Sequence, residues 1–279
     1  MPTMHDVLTE EEMSEFRINP EISRYLELVR EKSGLEKDQF RILDWGCGRG
    51  RAVGLLRNLG YDAYGVDISQ EFLSKGKQYF INREENPDDF LFLISEECKT
   101  CFHNDFFHFI FSYQVLEHVQ AVDLLSEEIS RVLAPNGVCL HIYPAHKHII
   151  EGHLFMPFVH WLPKSAIRKA AILMFVALGI EPRWQRLQGK GILEKARAYY
   201  EFSKNETFYR SYGVNKNIFE KNGFNVDFVT IDNPLLYKYG PLRKLMKLPF
   251  IKRLIGWGLL NFKSVELLLT KGNLPVVRR

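Results

Sequence analysis

The stretch that most constrains this chain is Ile42-Leu43-Asp44-Trp45-Gly46-Cys47-Gly48-Arg49-Gly50. A short apolar run ends in an acid, three glycines alternate with other residues, and a helix-like pattern begins at Arg51. Glycine serves where a backbone must turn sharply off a strand and let a ligand approach closely. The helix that follows aims its free N–H groups into the same crevice. A nucleotide-like ligand is therefore expected over Gly46–Gly50, with Cys47 in its cradle.

Spacing and charge narrow the ligand. The dinucleotide fingerprint G-x-G-x-x-G needs a third glycine where Arg51 stands. Asp44 at the strand end would repel a pyrophosphate and suits a cationic amino group. About twenty residues on, Tyr64-Gly65-Val66-Asp67-Ile68 reads as a second strand ending in an acid. That is the position that bonds ribose hydroxyls in doubly wound folds, with Ile68 beside it. An ammonium, a ribose and no phosphate describe S-adenosyl-L-methionine (SAM).

Asp44–Gly50 together with Gly65-Val66-Asp67 resembles motifs I and II of the class I SAM-dependent methyltransferases. Val115-Leu116-Glu117-His118-Val119 resembles a third block of the small-molecule (type 11-like) branch of that family. The resemblance implies an α/β, Rossmann-like fold. Its seven-stranded, mostly parallel sheet runs in order 3-2-1-4-5-7-6, with helices on both faces and an antiparallel last strand. It also implies that Glu96 flanks the adenine. Ligands of open α/β sheets bind beyond the carboxyl ends of the strands, which adds Ser112 and Gln114 to the cofactor rim. The chain departs from the family at His108, where an aspartate is common, and at Gln114, where some relatives have glutamate. Ubiquinone-pathway O-methyltransferases, which the Glu117-His118 block resembles, carry an acid-acid-His cluster that holds a divalent ion. Gln114 removes one of those acids, so no metal site is expected.

Residues 1–38 read as a helical cap, with apolar positions at Phe16, Ile22, Leu26 and Val29 interrupted by Pro20. Residues 39–144 read as the SAM-binding core. Its strands are expected at Arg41–Asp44, Ala63–Asp67, Phe90–Ile94, Phe106–Ser112 and Val138–Tyr143. The intervening helices are expected at Arg51–Leu59, Glu71–Asn82 with Ser69 as N-cap, and Val122–Leu133. From 145 to 213 the alternation lapses into a largely helical insertion after strand 5, with helical patches at Lys164–Gly179 and Leu193–Ser203. Residues 214–279 resume the core, with strands at Phe224–Ile231 and Val265–Thr270 around a basic, apolar insertion over 233–262. Strands alternating with helices are the pattern of a parallel doubly wound sheet.

A chain of 279 residues, 46% hydrophobic, can bury a full core, and a formal charge of +3 is too mild to argue for nucleic acid. Four cysteines without a disulfide framework suit a reduced, cytosolic protein. Met1–Arg17 lacks the chemistry of a signal peptide, and the apolar run Ala170–Ile180 is too short to span a bilayer. The expectation is a cytoplasmic protein, soluble or peripheral to a membrane. Cys98-Lys99-Thr100-Cys101 with His103 and His108 lacks the paired spacing of structural zinc.

Five of the nine histidines crowd into His141–His160. The run Glu151-Gly152-His153-Leu154-Phe155-Met156-Pro157-Phe158-Val159-His160-Trp161-Leu162-Pro163 resists a regular helix or strand, so it reads as an ordered loop or lid on the ligand rim. Methyl transfer to a hydroxyl benefits from a base with a pKa near working pH, which histidine supplies. His153, His118 and Glu151 are the candidate catalytic residues. Tyr239–Phe262 mixes Arg243, Lys244, Lys247, Lys252 and Arg253 with apolar residues, the signature either of membrane-surface contact or of a packed helix with a solvated face. The function expected is O-methylation of a small or lipid-linked acceptor, such as a sugar or a quinone-like ring. The competing reading is a SAM-binding regulator or scaffold without catalysis. No nucleic-acid partner is expected, and the Asn-Pro-Pro-Tyr-type tetrapeptide of nucleic-acid amino methylases is absent where Ser112-Tyr113-Gln114-Val115 stands.

Overall fold

In the computed structural model, which describes residues 7–232, 246 and 248–271, the apolar runs read above become a seven-stranded sheet. Its strands are β1 (Arg41–Trp45), β2 (Asp62–Asp67), β3 (Leu91–Leu93), β4 (Phe107–Tyr113), β5 (Leu133–Pro144), β6 (Phe224–Phe228) and β7 (Ser264–Lys271). The spatial order is β3-β2-β1-β4-β5-β7-β6, and β7 is antiparallel to both its neighbours, as the resemblance implied. Central strands covered on both faces lack a polar side, which is why β4 reads as a near-continuous apolar run.

Successive residues of a strand point to opposite faces, and two cores result. Ile42, Phe109, Leu140 and Leu268 pack against α2 (Pro20–Ser33), α3 (Arg51–Asn58) and α4 (Gln70–Ile81). Their neighbours Leu43, Ile110, Cys139 and Leu267 pack against α5 (Val122–Val132) and α8 (Tyr212–Lys221) on the other face. Pro20 does not break a helix but opens α2 at its first turn, where a missing N–H costs nothing. The short α1 (Glu10–Glu15) before it is closed by a capping box between Thr9 and Glu12.

β3 is only three residues long. Two strand boundaries differ from the sequence reading by more than one residue, each for a reason in the pairing. β5 starts at Leu133 because that residue pairs with Phe107, and the register then shifts before Phe109 pairs with Val138. Pro135-Asn136-Gly137 forms that irregularity, with Asn136 at φ 64°. β6 ends at Phe228 rather than Ile231 because Glu266 beyond it bonds Val229 through its carbonyl and Thr230 Oγ1 through its amide.

The insertion between β5 and α8 contains α6 (Ala166–Ala177) and α7 (Ile192–Asn205). It buries a satellite core of its own around Leu154, Met156, Val159, Ile172, Val176 and Tyr199. The segment 233–262 falls partly outside the described residues, including Arg243, Lys244 and Lys247; Pro249–Phe262 is helix α9. Among the described residues no helix is long and apolar enough to cross a membrane.

Candidate active site

The glycine cradle forms where β1 leaves the sheet. Gly46, Gly48 and Gly50 all take positive φ, at 81°, 56° and 75°. Gly46 and Cys47 donate their amides to the Val66 carbonyl, which folds the loop back onto β2. The loop is held from below and above. Gly76 of α4 lies so close to Arg49 that a Cβ there would stand 2.2 Å from the Arg49 carbonyl oxygen. The Arg49 guanidinium in turn grips Glu12 of α1, at 2.5 and 3.0 Å. A side chain added at Gly48 would meet no protein atom within 4 Å, because that position faces the open crevice.

Asp44 and Asp67 close the charge pattern. Asp67 accepts the Gly48 amide at 2.7 Å through one oxygen and the Ser69 amide at 2.8 Å through the other. Asp44 is buried, and burial together with the Asp67 charge pushes its carboxyl up to about 8. Two acids packed this closely fit a cationic ligand, whose ammonium would restore the ionised form. The rim continues with the exposed residues Ile68, Glu96 and Gln114, the last at φ 58°. Exposed Leu93, paired with Asp67 across β2 and β3, adds an apolar wall that the sequence reading missed.

Two of the expected cofactor residues turn their side chains into the protein. The Ser112 hydroxyl is buried and lies 2.7 Å from His141 Nδ1, so it serves the packing between β4 and β5 rather than the rim. The Cys47 side chain turns under the loop, where a Cβ on Gly65 would come within 2.7 Å of its sulfur. Strand alternation aims the Ser112 side chain inward, and the Cys47 side chain is turned inward by the loop after β1. Cys98 is buried, Cys101 is exposed, and His108 Nδ1 accepts the Arg41 amide, so these residues do not converge as a zinc set would.

The histidine loop and the turn after β4 meet at a second centre. Val115, whose methyls bear on Gly46, begins the turn that carries Glu117 and His118. The insertion's far end latches onto this turn, with Phe208 donating its amide to the Glu117 carbonyl and Arg210 bonding the Val119 and Gln120 carbonyls. His153 then lies with Nε2 3.1 Å from His118 Nε2 and Nδ1 2.9 Å from Glu151 Oε1. Phe202 packs beside both imidazoles.

Proton positions follow from the partners. His118 Nδ1 faces the Glu206 carbonyl at 2.6 Å, an acceptor only, so Nδ1 carries the hydrogen. Burial keeps His118 neutral by lowering its pKa, which leaves its Nε2 as an acceptor. His153 must then donate from Nε2 to His118 and from Nδ1 to Glu151, and it is an imidazolium. Burial opposes this, but the Glu151 bond and charge outweigh it and raise the His153 pKa. Burial likewise pushes the Glu151 carboxyl up, yet His153, the Tyr209 hydroxyl at 2.5 Å and the Leu154 amide hold it at about 2. Glu151 is therefore placed to orient and charge His153, and not to meet an acceptor itself. Tyr209 gave no local signal in the sequence, because it reaches Glu151 from 58 residues away.

Glu117 is the unbalanced member. Both its carboxyl oxygens are buried without a hydrogen-bond partner, and burial pushes it up to about 7. Ligand atoms of Glu117, His118 and His153 lie within 4.8 Å of one another. The sequence reading dismissed a metal because Gln114 replaces an acid; the tertiary fold brings in His153 as a third donor.

Residues 43–141 match the family described as "Methyltransferase domain", Methyltransf_11. This segment is similar to a methyltransferase domain. Among solved structures, PKMT2 from Rickettsia typhi is 18% identical with a TM-score of 0.56, over 91% of this chain and 53% of that one. Its complex with AdoHcy gives 17%, 0.56, 94% and 54%. SeMet phosphoethanolamine N-methyltransferase 2 of Haemonchus contortus, in complex with SAM, gives 16%, 0.49, 90% and 53%. The chain thus spans about half the length of each of these proteins, and the likeness to PKMT2 is one of fold. No curated protein matches the chain.

The glycine cradle makes one quantitative prediction. Asp67→Ala removes the acceptor that shapes the loop by holding the Gly48 and Ser69 amides. Loss of a part-buried acceptor costs up to about 1–3 kcal/mol, so SAM affinity measured by calorimetry should fall roughly 5- to 150-fold. Unchanged affinity would remove Asp67 from the cofactor site.

Proposed function

We propose that the whole chain is a SAM-dependent methyltransferase that O-methylates a small or lipid-linked acceptor, such as a sugar or a quinone-like ring. The observation that carries this reading is the Glu151–His153–His118 relay beside the glycine cradle. In it SAM occupies Asp44, Gly46, Gly48, Gly50, Asp67, Ile68, Glu96 and Gln114, with the backbones of Cys47 and Ser112. The domain's bound SAM supplies an activated methyl group. The chain's part is to align a hydroxyl with that group, exclude water and accept the hydroxyl proton. Alignment and desolvation supply much of such a rate. Above its pKa His153 gives its Nε2 proton to solvent, and the acceptor hydroxyl takes the place of His118 at Nε2 to hand over its own proton, while Glu151 holds Nδ1 and orients the ring. The insertion (145–213) forms the acceptor side of the cleft, and residues 1–38 cap the cofactor side.

A second reading rests on the unpartnered Glu117 carboxyl. A divalent cation held by Glu117, His118 and His153 would polarise the acceptor oxygen and lower its pKa. Metal analysis of the purified protein, and turnover after chelation and metal readdition, separate the two readings.

Incubation with methyl-labelled SAM and fractionated cell extract tests the function. Formation of AdoHcy with label in an extracted hydroxyl compound is the expected result. SAM binding with no turnover on any fraction would favour a regulator or scaffold.

A further inference from the structure

The acceptor loop has two faces. Glu151, Leu154 and His160 are buried, whereas Ile149, Phe158 and Trp161 are exposed. The outer group is built rather than loose: the Phe158 amide donates to the Ile149 carbonyl at 2.8 Å, and the Phe158 and Trp161 rings lie 4.8 Å apart. At its stem, exposed Lys147 donates its amide to the Asn261 carbonyl at 2.9 Å, which ties the loop to the end of α9.

Helix α9 repeats the pattern. Phe250, Leu254 and Trp257 are spaced four and three residues apart, hence on one helical face, and are 76%, 55% and 52% exposed. Its fourteen residues carry Lys252 and Arg253 and no acid. Those two cations border a groove of about 430 Å³ formed with Tyr212, Phe228 and Trp257. Exposed large apolar side chains gathered on one helical face in this way mark an interaction site. The absence of acid, the paired cations and the tryptophan at the edge of an apolar stripe match an anionic bilayer, where cations meet headgroups and the aromatic ring sits at the boundary.

We propose that α9 and the outer face of the 149–161 loop rest together on an anionic membrane, so that the acceptor enters the site from the lipid phase. The docking stands on surface chemistry alone; the lipid-phase acceptor rests on the methyltransferase reading above.

The experiment is flotation with vesicles of phosphatidylcholine mixed with phosphatidylglycerol, and with phosphatidylcholine alone. Wild type should bind the mixed vesicles, lose that binding as salt rises, and bind the neutral vesicles at least about tenfold more weakly. Leu254→Glu combined with Trp257→Glu should abolish flotation, and Ile149→Glu should weaken it. Lys252→Glu with Arg253→Glu should remove roughly 10- to 30-fold and with it the preference for the anionic lipid. All variants should keep wild-type SAM affinity by calorimetry, which shows that they are folded. Wild type that ignores anionic vesicles at low salt, or a Leu254→Glu, Trp257→Glu variant that floats as wild type does, overturns the proposal. So does a solution dimer that the same pair of substitutions dissociates. If flotation behaves as expected but no fraction accepts a methyl group, the methyltransferase reading falls and the docking stands.

Discussion

Replacing His153 with alanine is expected to lower turnover about 10²–10⁴-fold while leaving SAM affinity within about twofold, the range for a lost general base. His153 belongs to the acceptor side, and its two nitrogens meet Glu151 and His118 rather than the glycine cradle. His118→Ala should act differently and disturb SAM binding and turnover together, because the turn that carries it starts at Val115 against Gly46. Near-normal turnover of His153→Ala with the true acceptor would place the base elsewhere. A tenfold loss of SAM affinity would make the loop a structural lid.

The pH dependence has a defined sign. His153 rests as an imidazolium with a pKa raised above its ordinary 6.5, so the competent base appears only as pH rises through that higher value. The acid limb of kcat/KM should therefore lie above 6.5. Glu151→Gln removes the charge that raises it and should move the limb to lower pH, a shift that a merely structural role would not produce. Stability follows the same linkage. Glu151, depressed to about 2, stabilises above its ordinary value near 4.5 and loses that contribution as pH falls toward 2. His153, raised, stabilises below 6.5 and loses its contribution as pH rises through the folded value. The latch is strongest between those two ordinary values.

Gly48→Val is expected to reduce SAM affinity by more than about 150-fold, beyond the upper end for Asp67→Ala. Two effects combine. At φ 56° a β-branched residue is strained by about 1–3 kcal/mol. Its side chain also enters the crevice that the protein leaves open at that point. Gly48→Ala carries the smaller occlusion and less strain, so it should fall between wild type and valine. Calorimetry with SAM, paired with thermal unfolding, reads both. A folded valine variant that binds SAM normally would mean that the ligand approaches elsewhere.

The cofactor half of this protein was legible because its signals are local. Asp44 and Asp67 stand at the carboxyl ends of β1 and β2 and the three glycines follow β1, and a parallel strand–turn–helix unit determines where such residues stand. Spacing places Ser112 and Cys47 near the rim but does not say which way their side chains turn. His141 and Gly65, which claim those two side chains, come from neighbouring strands that no local pattern names.

The acceptor half was legible as a composition and not as a geometry. The crowding of histidines marked the loop, yet the roles came from partners far along the chain: Tyr209 on Glu151, the Glu206 carbonyl on His118, and His118 itself on His153. The sequence alone determined the strand alternation, the glycine cradle and its paired acids, because these depend on residues a few positions apart. Only the tertiary structure decided which histidine is charged, that Glu151 orients rather than reacts, and that Glu117 is left without a partner. Those properties depend on burial and on atoms from separate segments meeting within hydrogen-bond distance, and no periodicity along a chain encodes that meeting.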